Sequence, residues 1–428
     1  MIKKSCVFIL TFIIFLNLTT IAFSKSDEPK IDSDSALMID LATDRYLYSK
    51  NETQKINPGG LVKIMTAIIA IEHISDKNAT VTADVNTLSS YDYSFGHMGI
   101  LANEKLSYDN LLNGMLLYDA GDAAEVIASN VMSSREAFIK EMNKKAVEIG
   151  ALNTKFTNPT GFPDENQYST AEDLFKITKY AMSNSYFKEI VGKSRYEMAS
   201  TNKYVEYRYL DNKNKFMNVS TTDKYFTSKV KGIKTSYIDD DDCSLILQYE
   251  NDNIQLMTIC IGAHYDGTLN YSYEDSQELL DYGLNYYTNV KVISEGDIFA
   301  EVELTNGKDI DRLLLDSKED IYINLPKNYD PEKITTNVNL KKDISAPINK
   351  GDLLGTVDVL YDNEKYISFN LTAPNNIEAD NIKGFFTSVW AFISSPTLLV
   401  AMGILLIIVV WSLLIFNRKK VYKIDNKK

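Results

Sequence analysis

The stretch Asn57 to Ile74, NPGGLVKIMTAIIAIEHI, decides the fold. A Pro-Gly-Gly turn opens a helix whose apolar residues occupy nearly every face, and a helix that is apolar all round belongs in an interior. Lys63 inside it therefore needs an explanation. Lys63 follows Gly60 by three residues, so the two positions sit one turn apart on the same side of the helix. Taken alone, Lys63 reads as a snorkelling or paired structural lysine. A serine at position 60 would instead bring a hydroxyl to the amine at the helix N-terminus, where a nearby amine helps activate a nucleophile. Position 60 is glycine.

Working outward, SALMIDLATDRYLYSKN (35–51) gives two short strands around Ala42-Thr43-Asp44, a hairpin signal. On the other side, Ser107 caps a helix over 109–118, and Asp122 with Glu125 marks another start. Ser133 with Glu136 makes a capping box for a helix that Gly150 ends, and Ser169 with Glu172 repeats the device for a helix through Met182. Asn158-Pro159-Thr160-Gly161 is turn chemistry. Residues 229–236, 243–249 and 254–262 read as three strands, and 274–287 as a closing helix. Strands, helical block, strands and helix predict an antiparallel sheet with helices on its faces and a helical subdomain. From 291 to 375 short β-rich runs such as IFAEVEL and GTVDVLY predict a separate small β-sandwich domain.

The ends of the chain carry their own signals. Lys3 and Lys4, the apolar run Val7–Leu18 and the small residues Ala22 and Ser24 read as a secretory signal peptide over 1–24. Leu398–Phe416 holds no charge and is long enough for a bilayer, which takes ~20 apolar residues. Residues 417–428 carry six Lys/Arg against one Asp, and such flanks stay in the cytoplasm. A juxtamembrane linker over 376–395, a transmembrane helix over 396–416 and a basic cytoplasmic tail therefore follow as expectations. The bulk of the chain is expected outside the cell on a single-pass membrane anchor. The formal charge of −13 includes the basic leader and tail, so the part between them is more acidic still, which argues against nucleic acid. Cys243 and Cys260, on neighbouring strands, read as a cross-strand disulfide or as two buried thiols. His73, His97 and His264 show no metal spacing, and no cofactor is expected. The run Asp239–Asp242 reads as a solvated turn.

Several of these stretches converge on one family. SALMIDLATDRYLYSKN, INPGGLVKIMTAIIAIEH, MGILANEKLSYDNLLNGMLL, DAAEVIA, MNKKAVEIGALNTKFTNPTGF, YSTAEDLFKITKYAM, VKGIKTSY and APINKGDLLGTVDVLY resemble, in that order, the serine D-alanyl-D-alanine carboxypeptidases of the penicillin-binding superfamily. The resemblance implies an α/β fold of the β-lactamase/transpeptidase type over 31–288, followed by the family's C-terminal β-domain. It implies trimming of the terminal D-alanine from peptidoglycan stem peptides. Family chemistry needs S-x-x-K, S-x-N and K-T-G. This chain has Gly60-Leu61-Val62-Lys63, Asp119-Ala120-Gly121 and Lys234-Thr235-Ser236. The nucleophile is gone, both side chains of the second motif are replaced, and Ser236 adds a side chain in the groove.

Loss of a nucleophile leaves ~10³–10⁴-fold catalysis over water from binding and oxyanion stabilisation alone in well-studied triads. No acyl-enzyme is therefore expected. The resemblance places Asp119 near Lys63, where a carboxylate pairs with an otherwise unemployed buried ammonium. The rival reading is a rebuilt polar pocket of Lys63, Asp119 and Lys234 in which Asp119 activates water. Three functions follow as expectations: a pseudoenzyme binding peptidoglycan stem peptide or a cell-wall protein, an active carboxypeptidase or hydrolase with another nucleophile, and a scaffold with an idle cleft.

Overall fold

The computed structural model describes residues 28–218, 224–251, 254–380, 390 and 395–425. The expected signal peptide and most of the expected juxtamembrane linker lie outside the described residues. The chain divides into two compact units: the residues up to Asn289 with Asn324–Asn328, and Val290–Ile323 with the residues from Tyr329 onward.

In the first unit, strand β1 (Ser35–Asp40) is buried along its whole length, and side-chain alternation gives the reason. Leu37 and Ile39 enter one apolar cluster, while Ala36 and Met38 enter another. The strand is covered on both faces. A tight turn with Asp44 at φ 59° leads into β2 (Arg45–Lys50). With β3 (Val230–Tyr237), β4 (Cys243–Glu250) and β5 (Gln255–Ala263) these form an antiparallel sheet in the order β2-β1-β5-β4-β3. β3 is therefore an edge strand.

One face of the sheet carries the large cluster built from α1 (Val62–His73), α2 (Tyr108–Leu117), α3 (Gly121–Val131), α4 (Arg135–Ile149), α5 (Ala171–Met182) and α6 (Ser185–Val191). The other face is covered by α7 (Tyr271–Tyr286), through Tyr273, Leu279 and Leu280. Helix α1 is buried from Val62 to Ala70, as its all-round apolar pattern requires.

The expected caps hold at some ends and shift at others. Ser107 accepts from the Asn110 N–H, and Gly150 ends α4 at φ 86°. The caps of α4 and α5 are Ser134 and Thr170, each one residue later than expected, because these are the residues whose hydroxyls meet the Ala137 and Asp173 N–H groups. Ser169 is instead buried against the Thr154 hydroxyl. Asp122 lies inside α3, where its carboxylate accepts from the N–H groups of Met98 and Ile100 at 3.1 and 2.9 Å. Asn270 caps α7, which starts at Tyr271 and not at Glu274. Cys243 and Cys260 are buried free thiols: the register sets Cys243 opposite Ala263 and Cys260 opposite Leu245, so the disulfide alternative falls.

The second unit is a β-domain in which two small sheets share a core. A hairpin of Ile298–Glu303 with Arg312–Asp316 contributes Val302, Leu313 and Leu315. A three-stranded sheet of Ile334–Leu340, Leu353–Tyr361 and Glu364–Thr372 contributes Val357 and Leu371. Pro396–Asp425 is one helix. The transmembrane helix expected over 396–416 is not shown: among the described residues no helix is long and apolar enough to cross a membrane. The side chains of 396–399, 401 and those from 416 onward lie outside the described residues.

Candidate functional site

The turn before α1 is a single 3₁₀ turn, Gly59–Leu61, running straight into the helix. It leans on the edge strand β3: the Gly60 N–H donates to the Ser236 hydroxyl at 2.7 Å. From the third side comes Asp119, in the link between α2 and α3, at φ 63°. Aspartate is among the few non-glycine residues that enter this left-handed region readily.

Asp119 binds both motif lysines. One of its carboxylate oxygens receives Lys234 Nζ at 2.5 Å and Lys63 Nζ at 3.0 Å, and Lys234 also donates to the Thr235 carbonyl at 2.7 Å. Lys63 and Lys234 are 5% and 1% exposed. Two ammonium groups around one carboxylate leave an excess of positive charge in a nearly dry corner. Burial by itself raises the Asp119 carboxyl, but Lys234 and Lys63 outweigh it and hold the group below the usual carboxylate range. Burial pushes the Lys234 amine down to about 8, with Asp119 opposing the shift and Lys63 adding to it. A carboxylate so held is a weak base, which disfavours Asp119 as an activator of water.

The nucleophile position is occupied by its neighbours. A Cβ on Gly60 would lie 3.1 Å from Asp119 Oδ1, 3.1 Å from Ser236 Oγ and 3.3 Å from Lys63 Nζ, so a side chain fits only if these give by a few tenths of an ångström. Gly121 is closed more firmly. A Cβ there would lie 2.4 Å from the Tyr91 hydroxyl and within 3 Å of two carbons of its ring. Tyr91 donates to the Gly96 carbonyl at 2.6 Å and packs on Phe162 with ring centroids 5.0 Å apart. An aromatic ring thus stands where the family motif carries an amide.

The structure brings Gly60, Lys63, Asp119, Lys234 and Ser236 together, and leaves Thr235 and Ser236 on the wall of an adjoining pocket of about 400 Å³. Residues that sequence reasoning missed complete that pocket: Tyr118, Lys213, Lys215 and Tyr273 among them. Only the Asn212–Phe216 alternation of amide or aromatic with lysine hints at Lys213 and Lys215 in the sequence. Among the described residues no group of three or more His, Cys, Asp or Glu is placed to hold a metal ion. The corner can hold charge and donate hydrogen bonds, but position 60 presents no hydroxyl or thiol for acyl transfer.

Comparison with known proteins places this architecture. Residues 22–265 match the family model described as D-alanyl-D-alanine carboxypeptidase, and residues 287–379 match that of the penicillin-binding protein 5 C-terminal domain. The D-alanyl-D-alanine carboxypeptidase DacF of Bacillus subtilis is 28% identical over 360 residues, covering 82% of this chain and 89% of that protein. Among solved structures, penicillin-binding protein 5 of Haemophilus influenzae aligns at TM-score 0.66 and 23% identity, over 82% of this chain and 98% of that one. A peptidoglycan synthesis regulatory factor of Streptococcus pneumoniae, PBP3, aligns at TM-score 0.70 and 19% identity, over 82% and 100%.

Proposed function

The chain belongs to the D-alanyl-D-alanine carboxypeptidase family of cell-wall metabolism, and from that premise we propose that it is a non-catalytic member that binds a peptidoglycan stem peptide or a cell-wall protein. One observation carries the proposal: the position that holds the family's serine is Gly60, and the room a serine side chain would need is shared among Asp119, Ser236 and Lys63. Covalent catalysis without its nucleophile falls by several orders of magnitude. A retained cleft can still bind, because Thr235, Ser236 and the adjoining pocket remain.

We further propose that the chain is held at the outer face of a cell membrane by its C-terminal helix. The charge-free sequence 398–416, the basic residues after it and the exposed apolar side chains from Met402 to Ile415 support this. Sodium carbonate extraction of membranes tests it: the protein stays in the pellet if anchored and is released if not.

The experiment for the cleft is labelling with a fluorescent penicillin. The wild-type chain takes no covalent label. Gly60→Ser takes little, since the new side chain meets Asp119, and Gly60→Ser/Asp119→Ser takes clearly more. Covalent label on the wild-type chain, mapped by peptide mass to Ser236 or any other residue, would show a working nucleophile and sink the proposal.

A further inference from the structure

Beyond the filled corner the pocket is walled by a segment that nothing in the family motifs mentions. From Asn212 to Phe216 burial alternates: Asn212, Asn214 and Phe216 point inward, and Lys213 and Lys215 are exposed. The buried amides clamp this segment. The Asn214 N–H donates to Asn212 Oδ1 at 2.9 Å, the Phe216 N–H to Asn214 Oδ1 at 3.0 Å, and Asn212 Nδ2 to the Lys193 carbonyl at 2.9 Å. Lys213 is tied through its own backbone as well, its N–H to the Leu117 carbonyl at 2.9 Å and its carbonyl to the Tyr273 hydroxyl at 3.0 Å. The two lysines are therefore presented from a fixed base.

Their amines lie over aromatic faces, and among the described residues no carboxylate forms an ion pair with either. Lys213 Nζ sits 4.1 Å from the Tyr118 ring centroid and Lys215 Nζ 5.4 Å from that of Tyr273. Among the described residues the one carboxylate on the pocket wall, Asp119, is already shared by Lys63 and Lys234, and the nearby Glu274 is paired with Lys224. Glu274 feels the charge of Lys215 without forming an ion pair with it. Two ammonium groups thus stand on the described wall of the pocket against one carboxylate that is already paired, in a chain whose formal charge is −13.

We propose that Lys213 and Lys215 form an anion-reading subsite, selecting peptides that carry a free side-chain carboxylate over the same peptides with that carboxylate amidated. The inference rests on the binding function proposed above and specifies its ligand. A ligand excluded from the corner by Asp119 lies in the outer pocket, with Thr235, Ser236 and Asn270 there to hydrogen-bond its backbone and the two ammonium groups to meet its acidic side chain. The lysines are exposed enough to be screened, so the preference weakens as salt is added.

The test is calorimetric titration of the full chain with a D-alanine-terminated stem pentapeptide in two forms, side-chain carboxylates free or amidated. The free form binds at least about fivefold tighter at low ionic strength. That advantage disappears in Lys213→Gln/Lys215→Gln, which binds the amidated form as the wild type does, and persists in Lys213→Arg/Lys215→Arg. Equal affinity of the wild type for the two forms overturns the subsite and leaves the binding function standing. Failure of both peptides to bind overturns the subsite and the stem-peptide form of the proposed function, and leaves a cell-wall protein as the partner. Tighter binding of a soluble polyphosphate than of the acidic peptide also overturns it, since the lysines would then serve a phosphate polymer.

Discussion

Two buried polar regions border the start of α1, and they are built on opposite principles. The wall at Asn158–Phe162 is neutral and largely local: Asn158 Oδ1 alone accepts from the N–H groups of Thr160, Gly161 and Phe162 and from the Thr160 hydroxyl, at 2.7–3.2 Å. Thr66 of α1 adds a bond to the Pro159 carbonyl at 2.7 Å. The corner at Lys63, Asp119 and Lys234 is ionic and assembled from three distant segments, with a single carboxylate for two ammonium groups. Most of the wall's bonds close within five residues, with Gln167 and Thr66 adding three from outside the turn, whereas the corner's satisfaction depends on the whole fold. The wall is a turn that sequence chemistry can specify by itself, and the corner is the part of the molecule where substitutions must answer one another.

Removing the hub of each region breaks the comparison most directly. Asp119→Ala leaves two buried ammonium groups facing each other, so it costs about 3–5 kcal/mol, the range for breaking a buried pair, read as a fall in the urea midpoint. If its loss stays below 1 kcal/mol, the corner is not the buried ionic cluster described. Asn158→Ala strands several donors in a buried turn at about 1–3 kcal/mol, because some of them find other partners. An Asn158→Ala cost above that of Asp119→Ala would invert the ranking.

The pH dependence of stability separates the two regions with the smallest effect. Asp119 has its carboxyl lowered in the folded state, so its contribution is complete above the unfolded value near 4 and is lost as pH falls through the folded one. Lys234 acts at the other end. The folded chain releases that proton near pH 8, the unfolded chain only near 10.4, so between these values the unfolded state binds more protons and stability rises with pH. Measured by urea denaturation from pH 3 to 10, Asn158→Ala keeps both limbs of the wild-type profile. Asp119→Ala loses the acid limb. A profile for Asp119→Ala that parallels the wild type at low pH would assign the acid sensitivity to other carboxylates.

Much of this molecule was legible before any coordinates. The buried helix, the hairpin around Asp44 and the three strands of 229–262 follow from periodicity, and both the missing hydroxyl at Gly60 and the grouping of Lys63, Asp119 and Lys234 from the motif positions. The shifted caps at Ser134 and Thr170 show where that reading ends: adjacent hydroxyls have the same propensity, and only the backbone path decides which one meets the N–H. Likewise the cysteines were set on the right strands, but their offset is a matter of register.

The sequence by itself determined that position 60 offers no nucleophile, since chemistry absent from a side chain cannot be restored by folding. Only the tertiary structure decided what took the vacated space, because Asp119 and Ser236 reach position 60, and Tyr91 position 121, from segments far apart in the chain. It also decided that Lys213 and Lys215 face the same pocket as Thr235. A charge acquires its role from what lies within a few ångströms of it, and that distance is set by packing.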